Sequence, residues 1–234
     1  MATSGTVVYT MTAEEFVTTA LQRIGVVAEG ETATAAQYAT GERELNLILK
    51  TMQMQGYGLM RRAEQTVSLT DATTTPTGTY TLATRPASVI NVRFAIDGVE
   101  RRPLAEWSRE DFDASPIKST TGSPVVYVVD RQRTATSLRF WPIPDEPASE
   151  TWTAVVSYER VPETVTGPTE EVDIAQEQHD AVIDVLAAAL IPHFGMAVSE
   201  SAAQIVLARA GVKAETALNW DRRGMIRFTT VGRQ

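Results

Sequence analysis

Apolar residues recur at near-3.6 spacing toward both ends of this 234-residue chain and at every second position through its middle, and no single regular element satisfies both periods. Near the start, Thr12-Ala13-Glu14-Glu15 has the form of a capping box, in which a threonine hydroxyl and a glutamate three residues on satisfy each other's backbone N–H. Phe16, Ala20, Leu21 and Ile24 then fall on one helical face, and Gly25 is a natural stop. Thr34-Ala35-Ala36-Gln37 repeats the capping pattern. A longer helix runs from it, with Tyr38, Leu45, Ile48, Leu49 and Met52 on one side, and Gly56 and Gly58 are expected to end it.

The period then drops to two. "EQTVSLT", "YTLAT", "SVINVRFAI", "VERRPL", "SPVVYVVD", "SLRFW" and "TWTAVVSYERV" belong to a run of short strands, roughly six in number once the briefest are merged with their neighbours, typical of a small sandwich or barrel. Asp97-Gly98 marks a hairpin, residues 70–79 a polar loop, and "AEWSREDFDAS" a short helical turn between strands. In "FWPIPDEP" (140–147), Pro142, Pro144 and Pro147 have no N–H to give a ladder, so the strand must stop at Trp141. Trp141 then either caps the β core or, with its rigid turn, forms an exposed docking loop.

Helical spacing returns after "PETVTGPTEEVD". Glu170, Glu171 and Asp173 cluster where a helix is expected to begin, favoured there by its dipole. Val182, Ile183, Val185, Leu186 and Leu190 make this helix apolar nearly all round, so it is expected to be central, with Pro192 and Gly195 bending or ending it. A last helix, from about Ser199 to Leu218, carries a small-residue face of Ala203, Leu207, Ala210, Ala214 and Ala217. The fold class that follows is α+β. Residues 1–62 and 166–219 supply the helices of one bundle, residues 63–165 form an inserted small antiparallel β module, and residues 220–234 are a basic tail.

Charge narrows the function. The net charge is −8, yet residues 220–234 carry a local +3, leaving −11 on the remainder. An acidic body argues against a DNA-gripping surface, since phosphate affinity comes mainly from Lys and Arg. A basic end on that body suggests a docking segment for an acidic partner. The absence of cysteine excludes disulfides, thiolate metal sites and a cysteine nucleophile. No secretory signal is expected from "MATSGTVVYTMTAEEF", and "AVIDVLAAALIP" (181–192) is too short to span a bilayer.

A search for chemistry returns little. His179 and His193 fit no metal spacing, and phosphate-binding glycine loops and nucleophile elbows are missing. No cofactor or metal is expected. Glu170, Glu171 and Asp173 could supply the paired carboxylates of a glycan hydrolase, so a peptidoglycan hydrolase is the alternative reading.

Four stretches in order resemble the head-to-tail adaptors of tailed bacteriophages, the tail accessory or packaged-DNA stabilisation factors that bind the portal. "ALQRIGVVAEGETATAAQYATGERELNLIL" (20–49) is similar to the family's opening helices, and "RPASVINVRF" (85–94) to the strand after its first hairpin. "STTGSPVVYVVD" (119–130) with "LRFWPIPDE" (138–146) is similar to its G-x-P-x-x-Y … L-x-P-x-P-D signature. "AALIPHFGMAVSES" (188–201) is similar to its helix junction, with Phe194 in place of the expected tyrosine.

The resemblance implies a structural, non-enzymatic virion protein of the neck. It implies a dodecameric ring under the portal that extends the DNA channel, retains packaged DNA without binding it specifically, and offers the tail an attachment site. The implied partners are the portal protein, neighbouring copies in the ring and the next tail component, such as a nozzle or tube protein, with no membrane. On this view Trp220, Arg222, Arg223, Arg227, Phe228 and Arg233 dock on the portal. Trp141, Pro142 and Pro144, with Ala203, Leu207, Ala210 and Ala214, contact the ring or the tail.

Overall fold

In a computed structural model, residues 8–54, 62–70, 77–115, 117–195 and 197–222 are described. The chain divides into two compact units, Met1–Met60 with Pro162–Gln234, and Arg61–Val161. Among the described residues there are five α-helices and two four-stranded sheets, an α+β fold.

The first unit holds α1 (Ala13–Arg23), α2 (Ala35–Met54), α4 (His179–Phe194) and α5 (Glu200–Arg222). Both capping boxes form. The Glu15 N–H donates to Thr12 Oγ1 at 3.3 Å, and the Thr12 N–H to Glu15 Oε2 at 2.8 Å. The Gln37 N–H likewise donates to Thr34 Oγ1 at 3.4 Å, and the Thr34 N–H to Gln37 Oε1 at 2.9 Å. α1 ends where Gly25 takes φ 76°, a left-handed value that costs glycine nothing. Phe16, Leu21 and Ile24 of the α1 segment, Leu45 and Leu49 of α2, Val182, Leu186 and Leu190 of α4 and Val206 of α5 are buried in one apolar cluster. Elements from both chain ends therefore share a core. Gly56 and Gly58, expected to end the second helix, lie outside the described residues.

Expectations for the return segment are refined by the structure. Glu170, Glu171 and Asp173 do not start a helix: the chain there is irregular, a 3₁₀ turn follows at Gln176–Gln178, and α4 begins at His179. Of the two residues expected to bend or end this helix, Gly195 is its C-cap, while Pro192 sits inside the last turn, which runs to Phe194. The last helix extends past Leu218 to Arg222, so Trp220 and Arg222 belong to it. Its final side chains, including Ala217, lie outside the described residues.

Among the described residues the second unit contains eight strands, against the roughly six expected. One sheet has the order β1 (Arg62–Ser68), β8 (Trp152–Arg160), β3 (Pro86–Ile96), β4 (Val99–Pro103). The other has the order β2 (Thr79–Thr81), β7 (Thr136–Trp141), β6 (Val126–Arg131), β5 (Ala105–Glu106). The two-residue β5 is too short to carry a period, and it pairs parallel to β6, so the module is not wholly antiparallel. Along β8, Trp152, Ala154, Val156 and Tyr158 alternate inward as period two requires. They meet Val92 and Phe94 of β3 and Leu138 and Phe140 of β7 in a second buried cluster, between the two sheets. Asp97 and Gly98 take φ 51° and 75°, the paired left-handed residues of a tight hairpin. The short helix α3 (Arg109–Ala114) is capped by Ser108, whose Oγ accepts from the Asp111 N–H at 3.0 Å.

Candidate functional site

The turn after β7 answers why pairing stops at Trp141. The chain leaves β6 and takes a new partner: the Ile143 N–H donates to the Thr120 carbonyl at 2.8 Å, and Gly122 N–H to the Ile143 carbonyl at 2.9 Å. The Trp141–Pro142 bond is cis. Ile143 and Pro144 are buried, and Pro142 is half-buried. Glu146 accepts from the Trp152 N–H at 2.6 Å, so the loop also fixes the head of β8. Trp141 is not part of the buried cluster between the sheets. It lies half-exposed, stacked on Trp107 at 5.7 Å and 20°, with its Nε1–H donating to the Ile117 carbonyl at 2.9 Å. Ile117 and Val125, both linked to Trp141 by a backbone hydrogen-bonding group, are exposed. Of the three residues picked from this turn, Trp141 and Pro142 are accessible and Pro144 is not.

The acidic residues before α4 have structural jobs. The Glu170 carboxylate accepts from the Thr166 N–H and hydroxyl, both at 2.7 Å, which holds its pKa below the usual carboxylate range. Its backbone carbonyl accepts from Ala13 N–H at 2.8 Å, while Glu171 forms a bridge with Thr12. Asp173 accepts from Glu163 N–H at 2.9 Å. His179 is buried against the edge of Phe16, at 5.1 Å between ring centres, and burial pushes its pKa down. His193, at the end of α4, sits 3.3 Å from Glu44 of α2. Among the described residues, no group of His, Asp and Glu is arranged to hold a metal, and no helix is long and apolar enough to cross a membrane.

A cluster that periodicity did not reveal joins α1, α4 and α5. Asp184 is fully buried. Its carboxylate meets Arg23 of α1, Lys213 of α5 at 2.6 Å and Arg209 of α5 at 3.4 Å. Asp180, one turn earlier, pairs with Arg23 at 2.7 Å and with Lys213. The hydrogen bond from Lys213, helped by Arg23, holds the Asp180 pKa below its ordinary value. From sequence, Asp184 is only an interruption in an apolar run.

This cluster sharpens the charge pattern. Residues 1–60 and 162–219 contain fifteen acidic but only five basic side chains, whereas residues 61–161 hold thirteen and twelve. Three of those five cations, Arg23, Arg209 and Lys213, are engaged with Asp180 and Asp184. The acidity of the chain is therefore a property of its helical unit.

On α5, Ala210 is buried and Ala203 and Ala214 are half-buried, while Leu207 is 55% exposed and Ile205 and Val212 are exposed as well. Most of the described small-residue face thus packs within this chain, and the exposed apolar residues flank it, Ile205 and Val212 on one side and Leu207 on the other. Arg223, Arg227, Phe228 and Arg233 lie outside the described residues, as do the side chains of Trp220 and Arg222.

The family model described as SU10 adaptor protein matches residues 11–228, through both units and α5. The chain belongs to that family of phage head-to-tail adaptors. Membership makes it a structural protein of a phage particle. No curated protein matches the chain. The family match covers the segments on which the sequence resemblance rests, from the capped helices of the adaptor to the α4–α5 junction.

Proposed function

We propose that this adaptor forms a ring beneath the portal of the phage head, extends the DNA channel, retains the packaged genome and presents the tail with its attachment site. The carrying observation is a family match that spans residues 11–228 and so takes in both units and α5. The charge distribution supports it. A helical unit rich in carboxylates repels the DNA backbone, so DNA can pass a wall made from it without sticking. The basic segment at 220–234 has the opposite sign and carries Trp220 and Phe228, a composition fit to anchor on an acidic groove of the portal. Exposed Ile205 and Val212, which share one face of α5, are apolar surface available for a neighbouring copy. In the β unit, the Trp107–Trp141 stack and exposed Ile117 offer an aromatic surface to the next tail component.

The test is a mixture of the purified chain with purified portal, imaged by electron microscopy. An added ring of density under the portal is the expected result. Portal particles indistinguishable from the starting material at saturating adaptor would refute the reading.

A further inference from the structure

α5 is attached to its unit by charge more than by apolar burial. Along Glu200–Arg222, the only described residues that are buried are Val206 and Ala210, and only Val206 enters the core cluster. α1, about half as long, buries six residues. What α5 contributes instead is two cations one turn apart. Lys213 and Arg209 approach the same Asp184 oxygen, at 2.6 and 3.4 Å, and Lys213 also pairs with Asp180. The other oxygen of Asp184 is held by Arg23 of α1, which also reaches Asp180 at 2.7 Å and donates to its backbone carbonyl at 3.2 Å.

The arrangement is asymmetric. A buried carboxylate stripped of every partner is strongly destabilising, because the charge stays desolvated and uncompensated. Asp184 escapes that fate if α5 leaves, since Arg23 belongs to α1 and water can enter where α5 lay. Departure of α5 removes one large side chain, Val206, from the core, whereas departure of α1 removes Phe16, Val17, Leu21 and Ile24. Only residues 195–199 separate α4 from α5.

The geometry points to a latch: Arg209 and Lys213 hold α5 against Asp184 and Asp180, and loss of those ion pairs frees α5 as one helix from a scaffold of α1, α2 and α4 that stays folded. The freed helix presents two cations beside Val206 and Ala210, so whatever opens the latch must offer carboxylates in place of Asp180 and Asp184. Binding of an acidic helical surface and release from α4 then become one exchange of equivalent ion pairs.

Hydrogen exchange on the full chain tests this, comparing the parent with R209Q/K213Q. Protection of amides 203–216 is expected to fall by about tenfold or more, while amides 182–190 of α4 change by less than about twofold. Unchanged protection in α5 would mean that its apolar contact suffices, and loss of protection throughout α4 as well would make the cluster a scaffold rather than a latch. Either result overturns the proposal. A second measurement separates release from melting in place. The chain lacks cysteine, so spin labels on cysteines introduced at Ala39 of α2 and Ala208 of α5 report a single distance. R209Q/K213Q is expected to add a longer, broader population, and an unaltered distance alongside lost protection would refute release.

Discussion

Asn46 of α2 and Val165, 119 residues later, exchange two hydrogen bonds. The Asn46 Nδ2–H donates to the Val165 carbonyl and the Val165 N–H donates to Asn46 Oδ1, each at 2.9 Å. The side-chain amide thus takes the place of a paired strand for one residue. Val165 is buried, so its two backbone groups have no water to turn to. Beside it, Lys50 Nζ donates to the Pro162 carbonyl at 2.7 Å, and the two contacts hold the segment returning from β8 against α2.

Replacing Asn46 with alanine leaves a buried donor and a buried acceptor unsatisfied at once. Each such loss costs about 1–3 kcal/mol, so Asn46→Ala is expected to lower unfolding stability by at least the lower figure. Urea denaturation with an unchanged slope is the measurement. A midpoint equal to the parent's would show that the segment is held by its apolar contacts alone.

Gly41 makes a prediction with a counterintuitive sign. It lies inside α2, where alanine is favoured over glycine by roughly 1 kcal/mol. Yet it is buried, and a Cβ built there would overlap the Val17 side chain of α1. Helix propensity and close packing oppose each other, and packing wins because Val17 is itself fully buried and has nowhere to retreat. Gly41→Ala is expected to lower the melting temperature, and Gly41→Ala with Val17→Ala to recover part of the loss. A rise in melting temperature for the single variant would show that α1 and α2 can separate at no cost.

These two residues also mark where sequence reading stops. The helices, caps, hairpin and inward alternation of β8 were legible because each depends on residues within a turn or a strand of one another. Thr12 finds Glu15, and Asp97 finds Gly98. Asn46, Gly41 and Asp184 take their meaning from residues brought close only by the fold, so an asparagine, a glycine and an aspartate looked like ordinary helix positions or breaks in a pattern. The acidic run at 170–173 was misread for a related reason. Carboxylates suit a helix start, but they suit a turn equally well when a threonine such as Thr166 lies four residues away. β5 escaped notice because two residues carry no period. The aromatic surface was half legible: the prolines announced that β7 ends at Trp141, while its stacking partner Trp107 lies 34 positions earlier in a stretch that reads as a simple crossing.

His179 sets a pH dependence. It is buried beside Tyr9, Phe16 and the Ile174 carbonyl, with Glu177 as the acidic group acting on it, and burial lowers its folded-state pKa. Its unfolded value is about 6.5, so as the pH falls below that, the unfolded chain takes up a proton before the folded chain does. Stability is therefore full above about pH 6.5 and declines as the pH drops toward the lower folded-state value. His179→Gln is expected to flatten the stability profile below about pH 6.5. Parallel profiles for parent and variant would show that the buried imidazole does not couple to folding.

The basic terminal segment separates folding from docking most directly. The residues by which α5 is anchored, Val206, Arg209, Ala210 and Lys213, all precede Trp220. Deleting residues 220–234 removes none of them, so the melting temperature is expected to stay within a few degrees of the parent's, a change of at most about 1 kcal/mol. Portal binding is expected to disappear. To separate charge from aromatic anchoring, Arg222, Arg223, Arg227 and Arg233 can be replaced with glutamine while Trp220 and Phe228 remain. If the contact is an ionic one on an acidic groove, this variant loses affinity, and the parent's affinity falls as salt is raised, because exposed charges are screened beyond about 10 Å at 0.1 M ionic strength. A truncated chain that still saturates portal rings at the parent's affinity would remove the segment from the interface and leave the exposed face of α5 that carries Ile205 and Val212 as the surface to mutate next.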